Sequence, residues 1–199
     1  MEKNYTEDKT FDNINYTQTL LSKGDYEYCR FINCDFSNSD VTGITFIDCE
    51  FQTCNLSVAN LATSVLRDVK FVNCKMLGIH FENCNQFGLS VNFENCNLAH
   101  SSFYQTKLKK TLFKNCNLQE VDLTECDVSY SVFENCDFAR ARFENTIMEK
   151  ADFRSAFNYS INAEINKIKR AKFSLNGLAG LLDKYDIEID FNNQFQNQK

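Results

Sequence analysis

Phe31-Ile32-Asn33-Cys34-Asp35-Phe36-Ser37-Asn38 is the stretch on which the reading of the fold turns. Its two large rings, Phe31 and Phe36, stand five residues apart. Each follows a small residue two positions earlier, Cys29 or Cys34, with a polar residue between. Counting in fives through this stretch gives fifteen consecutive apolar or aromatic residues from Phe11 to Phe81. After a two-residue shift of phase, thirteen more run from Phe93 to Phe153. Only 43% of the 199 residues are hydrophobic, so an unbroken run of this length is not a product of composition. A period of five is neither the 3.6 of a helix nor the sustained alternation of a long strand. It fits a short extended piece in which the small and the large residue, two apart, point to one side. The other two residues then turn the chain, and Asn33, Asn38, Gly43, Asn73, Gly78 and Asn95 sit in that corner, where a sharp turn favours them. The chain is therefore expected to wind as a narrow solenoid around one apolar core.

Stretches such as Cys34-Asp35-Phe36-Ser37-Asn38, Cys54-Asn55-Leu56-Ser57-Val58, Cys116-Asn117-Leu118-Gln119-Glu120 and Ala151-Asp152-Phe153-Arg154-Ser155 resemble pentapeptide-repeat proteins, whose consensus is A(D/N)LXX. The resemblance covers about residues 11–153 and implies an all-β fold, a right-handed quadrilateral parallel β-helix with four pentads per coil. Reading every twentieth residue tests that implication. Phe11, Phe31, Phe51 and Phe71 are followed, past the shift, by Phe93, Phe113, Phe133, Phe153 and Phe173. At ~4.8 Å per coil, the eight steps of this ladder span about 38 Å.

The expected organisation is a lead-in at 1–10, the β-helix at 11–155 with a small bulge near 83–92, a helical cap at 156–190, and a disordered tail at 191–199. The bulge contains Phe87 and Leu89, which either pack inward or form a binding protrusion. In the cap, Ala163 to Arg170 reads as a short α-helix with Asn162 as N-cap, and Gly177 to Tyr185 as a second. Between them Ala171 to Leu175 matches the repeat again, and Ile187-Glu188-Ile189 alternates like a strand.

There are 10 cysteines, and all fall at the small position of the pentad. With no CxxC among them, they are read as reduced, metal-free core thiols. His80 and His100 occupy outward positions, and no phosphate-loop, dinucleotide, nucleophile-elbow or zincin motif occurs. No enzyme and no cofactor are expected. The formal net charge of −6 argues against general nucleic-acid binding. Without an apolar run long enough to span a membrane, or the apolar segment of a signal peptide, the chain is expected to be soluble and cytoplasmic.

The function expected is a non-catalytic protein-interaction scaffold whose partner is unidentified. The family resemblance also implies an alternative, a DNA-mimicking binder of type II topoisomerases that confers quinolone protection. One outward column, Asp35, Asn55, Lys75, Asn97, Asn117, Asp137, lacks the continuous acid stripe of such a mimic. The candidate partner surface comprises Phe87 and Leu89 with the basic cluster Lys107, Lys109 and Lys110. A homodimer through the C-terminal end is expected, with Leu178, Leu181, Leu182, Tyr185, Ile187 and Ile189 as its interface.

Overall fold

The computed structural model describes residues 4–190. Its strands, in chain order, are β1 (Asn4–Glu7), β2 (Thr10–Asp12), β3 (Gly24–Glu27), β4 (Arg30–Ile32), β5 (Thr45–Ile47), β6 (Glu50–Gln52), β7 (Val65–Arg67), β8 (Val69–Val72), β9 (Val91–Glu94), β10 (Leu112–Lys114) and β11 (Val132–Glu134). They stack as two parallel sheets, β1-β3-β5-β7 and β11-β10-β9-β8-β6-β4-β2. Phe31 pairs with Phe51, and Phe113 with Phe133, a register of one twenty-residue coil. Across the bulge Phe71 pairs with Phe93, so the extra two residues leave the coils on either side in step. The remaining sides are joined by single parallel bridges such as Asp35 to Asn55 and Ser102 to Asp122. The fold is a parallel β-solenoid.

Many of the pentads are closed by a side chain of their own. The carboxyl or amide oxygen of the Asp or Asn before the central residue accepts the backbone N–H two residues on. Asp35 does so from Ser37 at 2.9 Å, Asn117 from Gln119 at 3.0 Å and Asp137 from Ala139 at 3.0 Å. This local bond closes the corner. The following corner residue is left-handed: Asn33, Asn38, Gly43, Asn73, Gly78 and Asn95 have φ between 52° and 71°. That conformation explains the corner preference for Asn and Gly.

The aspartates of these corners also make the fold acid-sensitive. Hydrogen bonds from Arg154 hold the Asp152 carboxyl below its ordinary range, and those from Thr42 do the same for Asp40. Burial raises Asp127 and Asp137, but hydrogen bonds from Ser129 and Lys109, and from Gln119 and Asn158, outweigh it and leave both low. A carboxyl with a folded pKa below its unfolded value stabilises the fold above the unfolded value. That stability is lost as pH falls through the folded one. The melting temperature is therefore expected to be level at neutral pH and to fall below about pH 4. A melting temperature that does not change between neutral pH and about pH 2 contradicts this.

The phenylalanine ladder is continuous from Phe11 to Phe173. All eight neighbouring pairs are stacked, with ring centroids 4.6–5.5 Å apart. Beside it runs a single file of thiols, Cys34, Cys54, Cys74, Cys96, Cys116 and Cys136. Their S–H groups donate to phenylalanine carbonyls of the preceding coil, as Cys54 does to Phe31 at 3.2 Å and Cys96 to Phe71 at 3.3 Å. All ten cysteines are free and buried. Burial pushes Cys49, Cys84 and Cys126 up to about 12, which keeps them from ionising at neutral pH. No thiol should react rapidly with a thiol reagent in the native protein, and all ten should after unfolding. Rapid native labelling of several thiols contradicts this packing.

Several expectations are corrected. The lead-in belongs to the solenoid, because β1 pairs with β3 from Asn4 onward. Residues 163–170 form no α-helix but continue the coil, with Lys167 bridged to Ile147 and Arg170 left-handed at its corner. Asn166 explains this. It takes the small inward position, donates to the carbonyls of Phe143 and Asn162 and accepts from Thr146 N–H. The second helix is instead two 3-10 turns, Asn176–Leu181 and Asp183–Tyr185, and residues 187–189 are not a strand. The tail expected at 191–199 lies outside the described residues. Among these, no helix is long and apolar enough to cross a membrane.

Candidate interaction surface

The two residues singled out in the bulge part company. Leu89 packs against the core, whereas Phe87 is 82% exposed. The loop that carries it is tied down on both sides. Asn85 accepts from Phe87 N–H at 2.9 Å, and the Gln86 amide donates to the carbonyls of Phe81 and Cys84, both at 3.0 Å. Gln86 thus leaves the central slot of its pentad, and Leu89 reaches the core in its stead. Gly88 has φ +74°, and a Cβ there would lie 3.3 Å from the Arg67 guanidinium. The bulge is a built protrusion with an aromatic tip.

Lys107, Lys109 and Lys110 share one side of a single coil. Lys109 pairs with Asp127 at 3.0 Å, while Lys107 and Lys110 point to solvent. His80 and His100 lie outside the core beside Glu82 and Glu120, as their positions in the repeat require. Among the described residues, no group of three or more His, Cys, Asp or Glu is arranged to hold a metal ion.

The C-terminal end is seated on Tyr159. That ring fills the core one residue later than the pentad count predicts, and it touches Phe153 and Phe173. The chain returns over it at Gly177 and Gly180, where any Cβ would collide with Tyr159, at Gly180 with its backbone carbonyl. Ile161 N–H donates to the Gly180 carbonyl at 2.8 Å and fastens the return. Lys184 and Tyr185 both bond Glu164, and these two bonds hold its carboxyl below the usual range.

Of the six expected interface residues, Leu181 is turned inward against the core. Leu178, Leu182, Tyr185, Ile187 and Ile189 remain exposed. Three further apolar residues stand exposed at this end, Leu175 at 78%, Phe157 at 47% and Ile165 at 46%. Phe157 was detectable in the sequence, as the one aromatic in an otherwise polar outward column with Asp137 and Asn117. Leu175 carried no such signal, because it closes the returning repeat just ahead of the expected second helix. A groove of about 830 Å³ runs between the last coil and the cap, lined among others by Arg140, Arg154, Phe157 and Asn176.

Comparison with known proteins follows the same geometry. The family model described as a pentapeptide repeat region matches residues 24–88 and 89–178. No curated protein matches at the sequence level. Among solved structures, full-length QnrB1, described as a plasmid-mediated fluoroquinolone resistance protein, is 16% identical with a TM-score of 0.62. The match covers 92% of this chain and 100% of that one. HetL from the cyanobacterium Nostoc, described as involved in regulating heterocyst differentiation, is 12% identical with a TM-score of 0.43. That match covers 84% of this chain and 86% of that one. At such identities the likeness to QnrB1 is one of fold.

Proposed function

The chain belongs to the pentapeptide-repeat family, and from that premise we propose that it is a non-catalytic, cytoplasmic protein-interaction scaffold. The observation that carries this reading is where the apolar surface lies. The interior is filled from end to end by stacked rings and small residues, while Phe87 and the C-terminal apolar residues face outward. A rigid rod with apolar anchors on a polar surface suits protein recognition. We further propose a homodimer through the C-terminal end, formed by Leu178, Leu182, Tyr185, Ile187 and Ile189, with Leu181 supporting them from within. Light scattering at about 500 mM salt, where contacts between exposed charges are screened, should then report twice the chain mass, and Leu178→Asp with Tyr185→Asp should give a folded monomer. A wild-type monomer overturns the dimer.

The alternative, a DNA-mimicking type II topoisomerase binder, is supported by the shared fold with a fluoroquinolone resistance protein. Its weakness is the charge pattern. The bridged outward column from Asn15 through Asp35, Asn55, Lys75, Asn97 and Asn117 to Asp137 carries only two acids and a lysine. A supercoiling assay with purified gyrase, with and without a quinolone, separates the two readings. Relief of quinolone inhibition selects the topoisomerase binder. No effect, together with a partner whose capture from host lysate is lost on Phe87→Ser, selects the scaffold.

A further inference from the structure

We infer that a second copy of this chain docks side by side and antiparallel along one corner of the solenoid, through a ridge whose charges are complementary to their own reversal. The ridge is the column of corner residues that follows β1, β3, β5 and β7. Its first half is Asp8, Tyr28, Asp48 and Asp68. Ser90, bonded to the Asp68 carboxylate at 2.8 Å, is the middle. Its second half is Lys110, Tyr130, Lys150 and Arg170. All eight residues flanking Ser90 are exposed, left-handed corner residues, one per coil. Acids therefore occupy one half and bases the other, each half with one tyrosine.

A two-fold axis through Ser90, perpendicular to the rod, sets each residue against the one equally far on the other side. Asp68 then meets Lys110 of the second copy, and Asp48 meets the Tyr130 hydroxyl. Tyr28 meets Lys150, and Asp8 meets Arg170. Every pair is complementary, and each occurs twice because the contact is isologous. Lys150 already shows the chemistry within one chain, donating to Tyr130 at 2.9 Å with its ammonium 4.7 Å from the ring centre.

The local fields agree. The Tyr28 phenol is pushed above its ordinary range by the surrounding acids, Asp48 first and Glu27 next. Tyr130 is pulled below it by Lys150, with Lys110 adding. The flanking columns decide how the copies lean. On one flank Glu27 would face Glu149, and Arg67 would face Lys109. On the other, Arg30 faces Asp152 and Glu50 faces Val132, with no like charges opposed. The contact therefore leans toward the side carrying β2, β4 and β6. It is distinct from the end-to-end pairing proposed above and does not depend on it.

The test is sedimentation velocity on the full chain at low salt, read against charge-reversal variants that keep the wild-type melting temperature. Asp68→Lys alone should weaken self-association by about a hundredfold, because two like-charge contacts replace two ion pairs. Lys110→Asp alone should do the same. The two together should restore association, and raising salt from about 50 to about 500 mM should weaken the wild type. Three results overturn the pairing: a wild-type monomer at low salt, a dimer untouched by Asp68→Lys, or a double variant as weak as the singles. A dimer lost with Leu178→Asp but kept with Asp68→Lys is the end-to-end one and likewise refutes the ridge.

Discussion

Phe113→Ala is expected to lower the free energy of unfolding by about 3–5 kcal/mol, through lost burial and the cavity left behind. Phe113 is fully buried. Its ring centre lies 5.0 Å from those of Phe93 and Phe133, and it meets the edge of Phe103 at 6.0 Å. The neighbours cannot close the gap. Their separation is fixed by the coil-to-coil backbone bonds that pair Phe113 with Phe93 on one side and Phe133 on the other. Denaturant titration measures the loss, and a value under about 1 kcal/mol contradicts the continuous ladder. Lys110→Ala, on the outside of the same coil, should leave stability within about 0.5 kcal/mol of wild type.

Gly180→Ala should cost about 1–3 kcal/mol, the range for forcing an atom into a packed contact. The new methyl would lie 2.1 Å from the Tyr159 carbonyl oxygen, which is main chain and cannot swing aside. The return over Tyr159 must therefore lift, and the bond from Ile161 N–H to the Gly180 carbonyl goes with it. Limited proteolysis should then cut within residues 176–190 while leaving the coils intact. The end-to-end dimer proposed above should weaken as well. Gly78→Ala is the comparison: its added Cβ meets nothing closer than 3.9 Å, so only the left-handed φ of +63° is strained. Equal proteolytic sensitivity of both variants would show that the cap does not rest on Gly180.

The repeat was legible because one physical demand recurs every five residues. A central inward slot takes a large apolar side chain, and one slot in each coil takes phenylalanine throughout, so Phe11 to Phe173 could be counted without a structure. Reading failed where one residue satisfied two patterns. Ile165 and Ile168 have helical spacing, and Lys167, Lys169 and Arg170 suit a helix C-terminus, yet Asn166 belongs to the small inward column and decides the matter through its three hydrogen bonds. Tyr159 slips one position because its larger ring fills a slot that Asn158 cannot. Of the candidate surfaces, the exposure of Phe87 rested on the Gln86 amide turning back to the main chain, which no periodicity reports. The charged ridge went unread for another reason. Charge summed along the chain mixes all four sides of every coil, and the pattern emerges only when corners one coil apart are set side by side.

The backbone hydrogen bonds that join successive coils, such as Phe36 N–H to the Asn55 carbonyl and Asn55 N–H to the Cys34 carbonyl, cross from one coil to the next and so point along the rod. This gives the molecule an uneven mechanical character. Tension applied between the chain ends along the rod passes through every coil interface, but it enters at one strand of the outermost coil and peels its bonds one after another, while each interior interface shares the same load over all its bonds at once. Each coil freed releases twenty residues, about 65 Å of extension once the rise it occupied is subtracted. Bending, by contrast, compresses the stacked rings on one side and is resisted by the whole length at once. The rod is stiff against a partner pressing on its side and yields in regular steps to one that pulls on its end.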